Sequence, residues 1–122
     1  MEVTIKNTIT YDNDQEVVEQ TYPAELTEKS GYTYLKYEDE EKVANVIKFN
    51  EDSLVLTRFG QENTKMKFKK GKTDSTIMTP VGVQHIDTET TLFDNTDQTI
   101  KISYVLSKNN QKFADYSLEI KY

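Results

Sequence analysis

Apolar and polar residues take turns one by one along most of this chain, and that period of two constrains its fold more than any other feature. Met66 and Phe68 stand between Lys65, Lys67 and Lys69. Ile100, Ile102, Tyr104 and Leu106 alternate with Thr99, Lys101 and Ser103. Ala114, Tyr116, Leu118, Ile120 and Tyr122 alternate with Asp115, Ser117, Glu119 and Lys121. Val3, Ile5 and Ile9 share one face, as do Val18, Tyr22, Ala24 and Leu26. Successive side chains of a strand point to opposite faces, so each such segment has one apolar and one wet side. Tyr32 and Tyr34 oppose Leu35 and Tyr37, which leaves the inner face of that segment open.

Turn-forming residues divide these runs at nine places: Asp12–Asp14, Ser30–Gly31, Glu38–Glu41, Asn50–Asp52, Gly60–Asn63, Lys70–Gly71, Thr79–Gly82, Asp94–Asp97 and Asn109–Asn110. Gly, Asn and Asp tolerate positive φ and Pro presets a turn, so nine punctuations predict about ten strands in hairpin succession. One helical turn is expected within Glu38–Val46. Thr, Val and Ile together number 33 against 3 Ala. That bias suits a pleated surface and starves a helix.

Strands with one apolar face and no helix to cover them must form a sandwich or close into a barrel. Uniformly short connections favour an up-and-down meander, and closure removes sheet edges that invite aggregation. The expected fold is all-β: one closed antiparallel up-and-down barrel of about eight to ten strands, forming a single domain over 1–122. Apolar residues are 35% of the chain, but 13 positions are Tyr or Phe, which bury large areas each, so a core is affordable.

The same residues exclude much chemistry. There is no cysteine, which removes disulfides, thiolate catalysis and Cys-based metal sites. The longest apolar run is Leu54-Val55-Leu56, no basic region leads into an apolar stretch at the N-terminus, and a cytoplasmic protein with no membrane contact is expected. A net charge of −6 opposes binding to nucleic acid, and Lys65, Lys67, Lys69, Lys70 and Lys72 form the only basic cluster. No phosphate loop, dinucleotide fingerprint or nucleophile elbow occurs, and no cofactor is expected.

Across the chain, Gly31-Tyr32-Thr33-Tyr34-Leu35-Lys36-Tyr37-Glu38, Leu54-Val55-Leu56-Thr57-Arg58-Phe59-Gly60, Met66-Lys67-Phe68, Thr79-Pro80-Val81-Gly82, Ser103-Tyr104-Val105-Leu106 and Tyr116-Ser117-Leu118-Glu119-Ile120 follow one another in order. In this the chain resembles the YwiB-like proteins, a domain of unknown function from low-GC Gram-positive bacteria. The resemblance implies a calycin-like (lipocalin-type) antiparallel barrel. It implies no activity and no catalytic residue. Val81 departs from the aromatic residue expected between the Pro and the Gly.

Three groups of residues deserve a chemical reading. His85 is the only histidine, so any triad or His-based metal site must use it, with Asp87 and Glu89 on the same strand face; the alternative is a histidine at the rim or in solvent. Arg58 is the only arginine and continues the alternation Leu54, Leu56, Arg58. It either anchors an anionic ligand at the barrel mouth or closes the barrel end on a structural carboxylate. Tyr22, Tyr32, Tyr34, Tyr37, Tyr104 and Tyr116 offer rings with polar tips for a mixed cavity, or ordinary sheet packing.

The expected function is binding of a small apolar or anionic ligand without catalysis, with Arg58, Tyr34, Tyr104, Tyr116, Met66, Phe68 and Met78 as candidate contacts. The alternative is a protein-interaction module whose barrel is fully packed, presenting the acidic N-terminal half or the lysine stripe. An enzyme using His85 is the third.

Overall fold

The computed structural model describes residues 1–122. Ten strands follow in chain order: β1 (Glu2–Thr10), β2 (Gln15–Lys29), β3 (Tyr32–Glu38), β4 (Ala44–Phe49), β5 (Ser53–Phe59), β6 (Asn63–Lys69), β7 (Gly71–Thr79), β8 (Gly82–Thr96), β9 (Thr99–Lys108) and β10 (Gln111–Lys121). Each pairs antiparallel with its neighbour in sequence, and β1 pairs with β10 to close the barrel. All nine sequence punctuations fall at the hairpins. Positive φ occurs where the turn chemistry requires it, at Ser30-Gly31, Asp97-Gln98 and Asn109-Asn110.

There is no helix, and Glu38–Val46 contains none. The expected helical turn is instead a loop, residues 39–43, built around the Asp39 side chain. Its carboxylate takes the backbone N–H groups of Glu41 and Val43, and Lys42 adopts φ 61°. A side chain that satisfies local N–H groups offers the backbone an alternative to a helical turn.

Alternation places the core. Val3, Leu35, Ile47, Phe49, Leu54, Phe68, Ile100, Ile102 and Ile120 point inward and are at most 1% exposed. Leu35 and Tyr37 are the inner residues of β3, so Tyr32 and Tyr34 lie outside, where the Lys48 ammonium stands 4.2 Å from the Tyr32 ring centre. Two bulges adjust the register, one near Thr91 in β8 and one near Phe113 in β10. The extra residue at Thr91 lets Thr88 and Thr90 point inward above it and Phe93 below it.

Two places depart from a regular barrel. β2 is long because its halves serve different neighbours: Gln15–Pro23 pairs with β1, and Ala24–Lys29 with β3. Between β6 and β7 the regular ladder reduces to the pair Lys65–Thr76. Hydroxyls of β7 bridge the rest. Thr76 Oγ1 accepts the Lys65 N–H at 2.9 Å, Ser75 Oγ accepts the Lys67 N–H at 3.1 Å, and Thr73 Oγ1 donates to the Lys67 carbonyl. Backbone groups near the barrel wall need partners, and these short polar side chains supply them.

Candidate functional site

The most elaborate polar cluster lies where the β3–β4 loop meets the end of β5. Asp39 Oδ2 accepts from Arg58 Nε at 2.9 Å and from Asn45 Nδ2 at 3.0 Å. Its Oδ1 accepts from the Glu41 and Val43 backbone at 2.9 and 3.2 Å. Arg58 Nη2 reaches Glu41 Oε2 at 2.6 Å. Burial pushes Asp39 up, but the hydrogen bonds from Asn45, Arg58, Val43 and Glu41 outweigh it and hold the carboxyl down to about 2. The same Asp39 bond, helped by Glu41, raises Arg58 above its usual value.

Beside it, the Tyr22 and Tyr37 rings stack with centres 4.8 Å apart, and the Tyr22 hydroxyl donates to Glu40 Oε2 at 2.7 Å. Burial first, then the Glu40 carboxylate, pushes the Tyr22 phenol up to about 12. Burial raises Tyr37 too, with the charge of neighbouring phenol and carboxylate groups adding to it. These contacts lock the loop onto the barrel. Arg58 pairs with Asp39 and Glu41 at the barrel end while 36% of its side chain stays exposed.

Inside the barrel, Phe68 meets Tyr104 edge-on with centres 4.7 Å apart, and Tyr104 stacks on Tyr116 at 4.9 Å. Met66 packs beside this group from β6. The sequence candidates Phe68, Tyr104, Tyr116 and Met66 are thus brought together, as mutually packed core. Burial drives Tyr104 well above the ordinary phenol range, partly offset by Asn7. Ser75 and Thr88, both inside, share a 2.7 Å hydrogen bond. Phe68 keeps 1% of its area exposed and Tyr104 3%, while Tyr116 and Met66 are partly buried against them.

Tyr34 and Met78 are not part of that group. Tyr34 is on the outer face opposite Lys48, and Met78 is 49% exposed. Leu35 takes the inward place that excludes Tyr34. On β7, Ser75 and Ile77 point inward, which turns Met78 out. His85 is exposed on β8 with Asp87 and Glu89, and across from it stands Thr76. No group of three or more His, Asp or Glu residues is arranged to hold a metal ion. The polar cluster joins Arg58, a candidate in the sequence, to Asp39, Glu41 and Asn45, of which Asn45 carried no sequence signal. An Asp followed at short range by turn residues, in a loop facing the lone arginine, was the available signal.

The main concavities are open. One of about 440 Å³ is lined by Met1, Pro23, Lys36 and Val46 together with the inward Tyr37 and Asn45. Another, about 460 Å³, lies at the rim between Tyr11 and Phe113.

A ten-stranded, antiparallel, meandering barrel closed on an aromatic and aliphatic core is the class these features define. The chain belongs to the family described as a domain of unknown function (DUF1934), whose model matches residues 3–120. Among solved structures it is similar to the ywiB protein from Bacillus subtilis, with a TM-score of 0.72 and 21% identity. That match covers 98% of this chain and 89% of the other, and it shows a shared fold. No curated protein matches the sequence. No helix is long and apolar enough to cross a membrane.

Proposed function

We propose that this protein is a non-enzymatic interaction module, a calycin-type barrel that binds its partner on the outer surface. The observation that carries this is the filled interior. Thirteen buried apolar side chains from Val3 to Ile120 form the core, and Phe68, Tyr104 and the partly buried Tyr116 pack on one another within the barrel. Arg58, the best anion anchor in the sequence, is bonded to Asp39 and Glu41. His85 faces outward and is exposed, which gives it no enclosed substrate to act on. Exposed apolar side chains include Tyr11, Val17, Val18, Phe59 and Phe113, with Tyr11 and Phe113 lining one open concavity. Fold alone does not fix function, so these placements carry the argument.

The test is in-cell crosslinking of the native chain followed by mass spectrometry, together with native mass spectrometry of the purified protein. A reproducible protein partner crosslinked to exposed lysines, and a bare protein mass, are expected. A small molecule retained by the folded chain and lost on denaturation would overturn the proposal.

A further inference from the structure

We infer that the unpaired edge of β2, residues 15–21, is a strand-addition site for an extended, basic polypeptide segment. The inference names the partner chemistry of the interaction module proposed above and rests on that reading. Along Gln15–Thr21 the ladder to β1 occupies one side of β2, and β3 begins its pairing only at Ala24. The other side of those seven residues has no backbone partner, and residues 11–21 are all exposed. A free strand edge presents a row of N–H and C=O groups that another strand can complete.

The side chains say what kind of strand fits. Val17 and Val18 are adjacent, so each face of the edge carries one exposed aliphatic group, at 52% and 44% exposure. Natural edges are commonly blunted with lysine, proline or a bulge, and none of these lies between Gln15 and Thr21. Charge is of one sign. From Asn7 to Glu28 the chain carries Asp12, Asp14, Glu16, Glu19, Glu25 and Glu28 and no basic residue. Glu40, held by the Tyr22 hydroxyl, adds a carboxylate where the open edge ends. A basic strand would be drawn to this edge and an acidic one repelled. The same charge disfavours a second copy of this chain, whose own edge carries the same acids.

The probe is a capped heptapeptide alternating lysine and valine, titrated into the intact protein and followed by NMR. Shift changes and slowed amide exchange confined to residues 15–21 and their β1 partners are expected. A Glu16→Lys, Glu19→Lys double variant, altered only at exposed positions, is expected to weaken binding by roughly tenfold or more. A peptide of the same charge with alternate backbone nitrogens methylated, which removes donors from one edge, is expected to lose binding by a similar factor. Equal binding by the methylated peptide, shift changes scattered over other faces, or self-association through Val17 and Val18 in sedimentation would each overturn the inference. A failed peptide titration with a bare mass and a crosslinked partner elsewhere would sink this edge and leave the interaction module standing.

Discussion

Arg58 Nε lies 2.9 Å from Asp39 Oδ2, joining residues nineteen apart in sequence across the end of the barrel. Replacing Arg58 by Leu strands a carboxylate that keeps only 12% of its side-chain area exposed. The expected loss is about 1–3 kcal/mol, because a half-buried acceptor loses its charged donor. Urea unfolding of Arg58→Leu measures it. A variant as stable as the parent would mean that the ion pair is a surface ornament rather than the closure of the barrel end.

Acid should act through the same group. Asp39 has a folded-state value near 2 against an ordinary 3.8. A carboxyl depressed on folding contributes stability that is complete above its unfolded value and lost as pH falls. The contribution, of order 1–2 kcal/mol, should therefore disappear between about pH 4 and pH 2. Comparing acid unfolding of the parent with Asp39→Asn isolates it: the parent should lose more stability across that window. Parallel curves would show that Asp39 is not held down.

At the alkaline end the sign reverses. The Tyr22 phenol is raised on folding from 10 to about 12, so its contribution is complete below pH 10 and is lost as pH rises through about 12. Tyrosinate absorbance during a base titration should show Tyr22 ionising late, together with Tyr37 and Tyr104, which burial also raises. Tyr22→Phe should remove one late-ionising group. An unchanged titration would place the Tyr22 hydroxyl in free solvent.

The seam between β6 and β7 makes a different demand. Ser75 is 1% exposed, accepts the Lys67 N–H and shares a hydrogen bond with Thr88. Ser75→Ala leaves a partly buried amide and the buried Thr88 hydroxyl short of a partner, at a cost of about 1–3 kcal/mol. Amide exchange at Lys67 should speed up beyond what the global loss explains. Exchange that accelerates uniformly would show that Ser75 does not close the seam.

Inside and outside positions should respond very differently to truncation. Phe68→Ala removes a ring packed against Tyr104 and should cost about 3–5 kcal/mol. Met78→Ala, on the outer face, should stay within about 0.5 kcal/mol, as should His85→Ala. Thermal or chemical unfolding of the three variants distinguishes the placements.

Much of the fold was legible because strand side chains obey a period of two and turns demand particular residues. Nine turn clusters became nine hairpins, and Phe68, Tyr104, Tyr116 and Met66 fell inward as the alternation required. Alternation alone was mute where both faces are aromatic. Tyr34 and Leu35 were equivalent until the register with Ile47 set Leu35 inside and left Tyr34 beside Lys48. Met78 was misassigned to a cavity because nothing in sequence tells which parity of β7 faces inward. The inner positions there are Ser75 and Ile77, and polar Ser75 is buried only because it serves the seam. The open edge at Val17 and Val18 was hidden for a related reason. It arises from β2 changing partners between Pro23 and Ala24, and that stagger belongs to the whole barrel rather than to any local run.

A full barrel leaves no room for a foreign atom among its inner rings. Crystals of the protein held under xenon pressure probe this directly, since xenon enters apolar voids in otherwise rigid proteins. No xenon site is predicted among Phe68, Tyr104, Tyr116 and Met66. A well-occupied site there, or density for a molecule that displaces the Phe68 or Tyr116 ring, would contradict the packed interior and return the barrel to the small-ligand binders.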